Sequence, residues 1–360
     1  MSSQKLNIVY IGRYNDSEIL SGPEKTAKRI FAECSKQHNP LFIQYFFDGT
    51  KYGFIRKLFG YESKNNIITV GLIKLFFLLF RLNPGIIHII TFERFAYIAV
   101  LYSFFKKVKV IYNSHGVIKY EDTVLKKEKA FHRFKNRYVE KSLLNNADVI
   151  IFNSETSKYL CGKYYTLDNK KCLIIPNGVD KIFNICGDGR REGYVFFAGG
   201  KLHESSRMFL KKFLDYTHSQ LDIHVIGSNK FCVNIIKSNI KIFDKMSAEK
   251  LAEFYKDKDI FLCLNSYDTF SIATAEAMSA GLIPITTKET GMSSYIKNGE
   301  NGFIVNYGDT RQLENIIMLL CNMDSAEKDR IRRNTQNIYK EISWDKVYNM
   351  YDNIYHIIGK

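Results

Sequence analysis

No two of the seven cysteines (Cys34, Cys161, Cys172, Cys186, Cys232, Cys263 and Cys321) stand in CxxC spacing, and no His/Cys cluster is spaced like zinc ligands. The count is odd, and several of them sit in apolar runs where a thiol serves as a small hydrophobe. A reducing, cytoplasmic compartment suits such a chain, and no metal centre is expected. Residues 1–12 lack a long apolar segment followed by a cleavage site, so a signal peptide is not expected. The longest apolar stretch, 67–80, is short for a bilayer and is interrupted by Lys74. Low-complexity tracts and repeat periods are missing as well, which sets aside disordered, fibrous and solenoid proteins.

Carboxylates are scarce in the first half only. Residues 1–175 carry 28 Lys or Arg against 14 Asp or Glu, whereas residues 176–360 carry 24 against 23. Almost the whole net charge of +15 therefore lies in the first half. Such a one-sided field draws an anionic surface or substrate, or else only keeps the chain soluble.

With 360 residues, 46% of them hydrophobic, the chain has material for two cores. Short β-rich runs alternate with helical spacing twice over. In the first half, strands are expected at 6–12, 41–47, 86–90, 108–112, 149–152 and 172–175. Helices are expected at 22–36, 72–82 and 121–144. Residues 72–82 are apolar nearly all round, which predicts a buried helix. Pro176-Asn177-Gly178-Val179-Asp180 breaks the pattern and opens a linker. Strands then recur at 194–198, 223–226, 240–243, 260–264 and 283–286, with helices at 205–217, 248–256, 272–280 and 310–321. This order predicts an α/β protein with parallel sheets covered on both faces. The domains are expected at 1–176, 193–342 and a linker at 177–192, with a final helix at 343–360 packing back on the first domain. Two such lobes facing each other leave a cleft at the carboxyl ends of their strands.

The run from Asp268 to Gly281 carries the most chemistry. A strand ends just before it and a helix begins inside it, so backbone N–H groups and a positive dipole end mark a phosphate site. Phe270, Ser271 and Ile272 are placed to offer N–H groups. Asp268 in the turn and Glu276 two turns into the helix could meet a sugar and a ribose diol. Spacing alone favours the plainer reading, a capping or loop Asp268 and a solvated Glu276.

This segment resembles the carboxylate–seven residues–carboxylate motif of retaining glycosyltransferases of family 4. Pro284-Ile285-Thr286-Thr287, Gly291, Asn298-Gly299-Glu300-Asn301-Gly302 and Gly308-Asp309 follow in that family's order. Asn177-Gly178-Val179-Asp180, Ser21-Gly22-Pro23-Glu24 and Asn113-Ser114-His115-Gly116 resemble its other hallmarks. The likeness covers nearly the whole chain, most densely from 260 to 310.

The resemblance implies a GT-B fold of two Rossmann-like domains and transfer of a sugar from a nucleotide diphosphate donor, UDP-type favoured. It implies no metal or other cofactor, and no DxD motif is found near a strand end. Glu276 would bind the nucleotide ribose. Asp268 stands where the family has glutamate, shorter by one methylene, ~1.5 Å. Lys201 and Arg207 would hold the diphosphate, with Lys201 where arginine is usual and Arg207 where lysine is usual. Each could also be a plain surface cation. Asn177 and Gly22 would line the donor site, Gly22 allowing close backbone approach. His115 would lie near the donor sugar or phosphate and could donate a hydrogen bond to the leaving group, though a lone histidine is often structural. Tyr120 and Glu121 follow in the same loop, where they could touch the acceptor.

The acceptor implied is lipid-linked or a saccharide, in assembly of a surface polysaccharide or lipopolysaccharide-like glycolipid. Residues 51–59 and 126–141 mix cations with aromatics, which suits either peripheral attachment to the inner face of an anionic membrane or a solvated helix face. No RNA- or DNA-binding signature is present, so nucleic acid is not expected as a partner. Another GT-B enzyme, a phosphorylase or sugar-nucleotide epimerase, and a catalytically weakened nucleotide-sugar-binding protein are the alternatives.

Overall fold

The computed structural model describes residues 5–46, 54–124, 130–185, 194–198, 208–209, 222–227 and 240–359. The chain divides into two compact units, Met1–Pro176 with Asp345–Lys360, and Asn177–Trp344.

The first unit runs β1 (Ile8–Ile11), α1 (Gly22–Gln37), β2 (Leu41–Tyr45), α2 (Phe54–Phe59), β3 (Tyr61–Lys64), β4 (Ile67–Val70), α3 (Leu72–Leu82) and β5 (Ile86–Ile89). It continues with α4 (Tyr97–Phe105), β6 (Lys109–Ser114), α5 (Ile118–Val124), α6 (Ala130–Asn146), β7 (Val149–Phe152), α7 (Glu155–Tyr164) and β8 (Cys172–Ile174). Among the described residues these strands form one sheet in the order β3-β4-β2-β1-β5-β6-β7-β8. Every pairing is parallel except β3 with β4.

That exception departs from the all-parallel expectation. Asn65 and Asn66 both take positive φ, 48° and 61°. Two adjacent residues in that region make a tight hairpin turn, and asparagine tolerates it. The apolar run beginning at Ile67 is therefore an edge-proximal strand before it becomes a helix.

Strand residues alternate between two helical layers, as the pleat requires. Val9, Ile11, Ile87, Ile89, Val110 and Tyr112 share a buried cluster with Leu75 and Leu79 of α3, Ala99 and Tyr102 of α4, and Leu143 of α6. The other face meets α1 and the last helix. Two expected helices differ here. Helix α3 is amphipathic rather than buried: Ile73, Lys74, Phe77 and Arg81 are exposed, one face at helical spacing. The helix expected over 121–144 is two helices, α5 and α6, with residues 125–129 outside the described set.

The second unit contains β9 (Tyr194–Ala198), β10 (Ile223–Gly227), β11 (Ile240–Asp244), α8 (Ala248–Tyr255), β12 (Ile260–Cys263), α9 (Ile272–Ser279), β13 (Ile283–Thr287) and β14 (Phe303–Val305). Three helices follow: α10 (Thr310–Asn322), α11 (Ser325–Gln336) and α12 (Tyr339–Ile342). Its described strands form a wholly parallel sheet in the order β11-β10-β9-β12-β13-β14. The helix expected over 205–217 falls almost entirely outside the described residues. Near the start of this unit a Cβ on Gly178 would come within 2.3 Å of the Trp344 indole, so only glycine lets that ring lie on the backbone.

The last helix, α13 (Trp344–Ile358), clusters with the first unit from Asp345 onward. A buried hydrogen-bonded chain ties it to the sheet. The Tyr10 hydroxyl donates to the Tyr355 hydroxyl at 2.9 Å, and the Tyr355 hydroxyl lies 2.8 Å from His88 Nδ1. His88 Nε2 lies 3.0 Å from Asn113 Oδ1, and Asn113 Nδ2 donates to the Tyr351 hydroxyl at 2.9 Å. Burial depresses the His88 pKa to about 3, so the ring is neutral and has one N–H to give. Asn113 Oδ1 can only accept, which puts that proton on Nε2. Nδ1 then accepts from Tyr355, and the direction of every bond follows.

The chain predicts the outcome of Tyr355→Phe. Losing the hydroxyl strands His88 Nδ1 in a dry interior and takes one of its partners from the Tyr10 hydroxyl, at a cost of about 2 kcal/mol. Guanidinium unfolding should show that loss, and a change below ~0.5 kcal/mol would contradict the directed chain.

Candidate active site

The candidate residues form two groups, one in each unit. The first lies where β1, β5 and β6 end. Parallel strands release the chain at one edge, so loops from several strands gather there. The Arg13 N–H, just past β1, donates to the Thr91 hydroxyl at 2.8 Å. The Arg13 guanidinium pairs with Glu93 at 3.2 Å. Burial pushes the Glu93 carboxyl up to about 7, against the pull of Arg13. Neither residue stood out in the sequence. The signal was only that each closely follows the end of a strand.

Gly22 opens α1. Ser21 before it gives both its N–H (2.9 Å) and its hydroxyl (2.6 Å) to Glu24, a capping-box arrangement that fixes the entry to the helix. Partial burial works against the Glu24 charge, but the bonds from Ser21 outweigh it and lower the pKa.

His115 follows β6. Its Nε2 lies 2.9 Å from the Ile90 carbonyl, and burial depresses its pKa to about 4. A carbonyl only accepts, so Nε2 carries the one proton of a neutral ring and Nδ1 carries a lone pair. In this tautomer Nδ1 can act only as an acceptor, whereas the resemblance implied a ring that donates to a leaving group. The loop beyond is held by a group the sequence did not reveal. Buried Glu140 of α6 accepts from the Ile118 N–H (2.7 Å), the Lys119 N–H (3.0 Å) and the Tyr165 hydroxyl (2.5 Å). Burial raises its carboxyl to about 7 in spite of those bonds. It caps α5, which carries Tyr120 and Glu121, and a Cβ on Gly116 would meet the Glu121 carboxylate at 2.2 Å.

In the second unit the loop after β12 is shaped by Asp268. Its Oδ1 accepts from the Phe270 N–H at 3.1 Å and the Ser271 N–H at 2.8 Å, and its Oδ2 from Asn265 Nδ2 at 3.3 Å. Two of the three N–H groups expected to face phosphate are thus given to Asp268, the capping alternative that spacing alone favours. The Gly291 N–H donates to the Asp268 carbonyl (2.9 Å) and the Met292 N–H to that of Phe270 (2.9 Å), stitching this loop to the one after β13. Ser271 takes the left-handed conformation, φ 71° and ψ 75°, unusual for a residue with a side chain. Its hydroxyl lies 2.7 Å from that of Thr274.

Ile272 begins α9, and Glu276 one turn on is buried. The fully buried Tyr255 phenol is pushed up by burial first and then by the charge of Glu276. Asn177 is buried too. Lys201 and Arg207 lie outside the described residues.

Family models match both halves: "Glycosyltransferase Family 4" over residues 30–181 and "Glycosyl transferases group 1" over residues 211–338. N-acetyl-alpha-D-glucosaminyl L-malate synthase of Bacillus anthracis is 24% identical over 132 residues, 35% of each chain. GDP-mannose:cellobiosyl-diphosphopolyprenol alpha-mannosyltransferase of Xanthomonas campestris is 26% identical over 121 residues, 34% of this chain and 32% of that one. The chain thus matches about a third of the length of either relative. Anabaena HepE, solved in complex with UDP and glucose, superposes with a TM-score of 0.74 at 14% identity, covering 97% of this chain and 99% of that one. At that identity the match speaks to the fold.

The His115 tautomer is open to direct test. In nitrogen-15 NMR spectra at pH 7 its ring should be neutral with the proton on Nε2, titrating at about 4. A midpoint at or above ~6.5, the unperturbed value, would contradict the assignment.

Proposed function

The chain belongs to the family 4 glycosyltransferases and has their GT-B fold, and from that premise we propose that it transfers a sugar, with retention, from a nucleoside diphosphate donor to a lipid-linked or polysaccharide acceptor. The observation that carries the reading is Glu276: a carboxylate buried in the first turns of a helix that follows a parallel strand. A carboxylate at that position can accept hydrogen bonds from the two hydroxyls of a ribose. The UDP in the HepE complex and the diphosphopolyprenol in the name of the Xanthomonas relative support the two substrate classes.

In this reading the C1–O bond to the diphosphate breaks as the acceptor oxygen bonds C1 on the same face, and the acceptor proton passes to the departing diphosphate. Negative charge builds on the diphosphate, so stabilising it is the main work of the site. Lys201, Arg207 and the start of α9 would supply that field. His115 would lie beside the donor sugar or phosphate as a neutral ring, which adds no charge there. Asp268 acts by holding the loop at 270–271 in shape.

Glu276→Ala should lower transfer about 100-fold or more, since two hydrogen bonds to a charged acceptor are lost. Release of nucleoside diphosphate from a panel of nucleotide sugars, with saccharide and polyprenyl-linked acceptors, reads this out. Undiminished activity in that variant would reject the role of Glu276.

A further inference from the structure

Exposed phenylalanine is distributed very unevenly. Among the described residues, every exposed phenylalanine lies on four helices of the first unit: Phe59 on α2, Phe77 on α3, Phe104 and Phe105 on α4, and Phe131 and Phe134 on α6. Phe77, Phe104, Phe105 and Phe134 are between 64% and 69% exposed. The four helices adjoin in the order α2, α3, α4, α6. Side chains bridge them: the Phe80 and Tyr102 rings lie 5.0 Å apart, Phe76 and Phe105 6.1 Å, and Tyr97 and Tyr138 5.7 Å.

Scattered exposed apolar groups need no explanation, but large rings gathered on one layer mark a surface that is covered in use. The charge of the layer says by what. The four helices contain eight Lys or Arg, of which Arg56 pairs with Glu62 and Arg137 with Asp122 from neighbouring elements, and one carboxylate, Glu140, which is buried. Lys106 and Lys107 extend the cationic set beside Phe104 and Phe105. From residue 63 to residue 120 the sole acid is Glu93, already paired with Arg13. On α6 the Lys135 ammonium sits 4.2 Å from the Phe131 ring centre, joining an ammonium to an apolar anchor. A lipid surface takes rings into its acyl boundary and meets ammonium groups with phosphate.

We propose that the α2–α3–α4–α6 layer is a docking face for an anionic bilayer, with Phe77, Phe104 and Phe105 as the inserted anchors and Lys106 and Lys107 as the headgroup contacts. Among the described residues no helix is long and apolar enough to cross a membrane, and the proposed face is one for surface attachment. The inference leans on the transfer reading only for what waits at the membrane, a lipid-linked acceptor. The docking itself stands on exposure and charge.

Flotation of the full chain with vesicles of phosphatidylcholine, and of phosphatidylcholine with about 30% phosphatidylglycerol, tests it. Binding should require the anionic lipid and weaken as salt rises from ~0.1 to ~0.5 M. The triple variant F77S/F104S/F105S should lose about ten-fold or more in partitioning, and K106E/K107E should lose binding to anionic vesicles. All five side chains are exposed, so K106E/K107E should keep the wild-type unfolding temperature, and the triple variant, which loses the Phe105–Phe76 contact, should still unfold in one cooperative transition well above the flotation temperature, which shows that a loss of binding is not a loss of fold. A wild-type chain indifferent to anionic lipid, a triple variant that floats as well as wild type, or retention by RNA in place of vesicles would overturn the proposal. Glu276→Ala separates the two readings. It should float normally while losing transfer, so docking that persists in a variant of unchanged activity leaves this inference standing and removes the other.

Discussion

A parallel strand pair cannot be closed by a tight turn, and that constraint arranges nearly everything in this molecule. Each strand must be re-entered from the far end after a crossover, so all the loops leaving the strands collect at one edge of each sheet. The row Gly12-Arg13, Thr91, Glu93 and His115 is one such edge, and Asn265 to Ser271 with Thr287 to Met292 is the other. The polar groups at these edges fix one another. Arg13 is held by Thr91 and Glu93, His115 by Ile90, and Phe270 and Ser271 by Asp268. The chemistry offered by each edge therefore depends on hydrogen bonds made before any ligand arrives.

The same burial that covers both sheet faces makes buried polar groups costly, so those present are directed chains rather than loose pairs. The Tyr10–Tyr355–His88–Asn113–Tyr351 series passes through Asn113, two residues before His115. The last helix thereby braces the strand that carries the site histidine. Glu140 does comparable work from below the next loop, using a carboxylate with three donors and a pKa of about 7 to anchor a helix start. Both devices spend dry, satisfied polar groups on position.

How far the sequence could be read follows from these physics. Strands and helices with strong periodicity were legible to within a few residues, because period and burial are the same fact. The hairpin at Asn65-Asn66 was not seen, although two asparagines between β-rich runs were its signal. The outward face of α3 was hidden because Phe77 and Ile73 read as core by composition; only packing shows which side is left bare. The carboxylate spacing of Asp268 and Glu276 was legible, but the part Asp268 plays was not, since a turn residue that caps and one that reaches a ligand have the same sequence. The proton on His115 depends on a carbonyl 25 residues away, and Glu140 looked like one more charge in a basic stretch. No local pattern encodes either.

The account stands on a donor nucleotide being bound through Glu276, and thermal unfolding in the presence of nucleoside diphosphates tests that most directly. At about 100 times its dissociation constant a ligand of the native state adds ~2.7 kcal/mol, enough to raise the unfolding temperature by several degrees. The wild-type chain should respond in this way to at least one nucleoside diphosphate or its sugar. A well-folded chain whose unfolding temperature is moved by none of them would contradict the account.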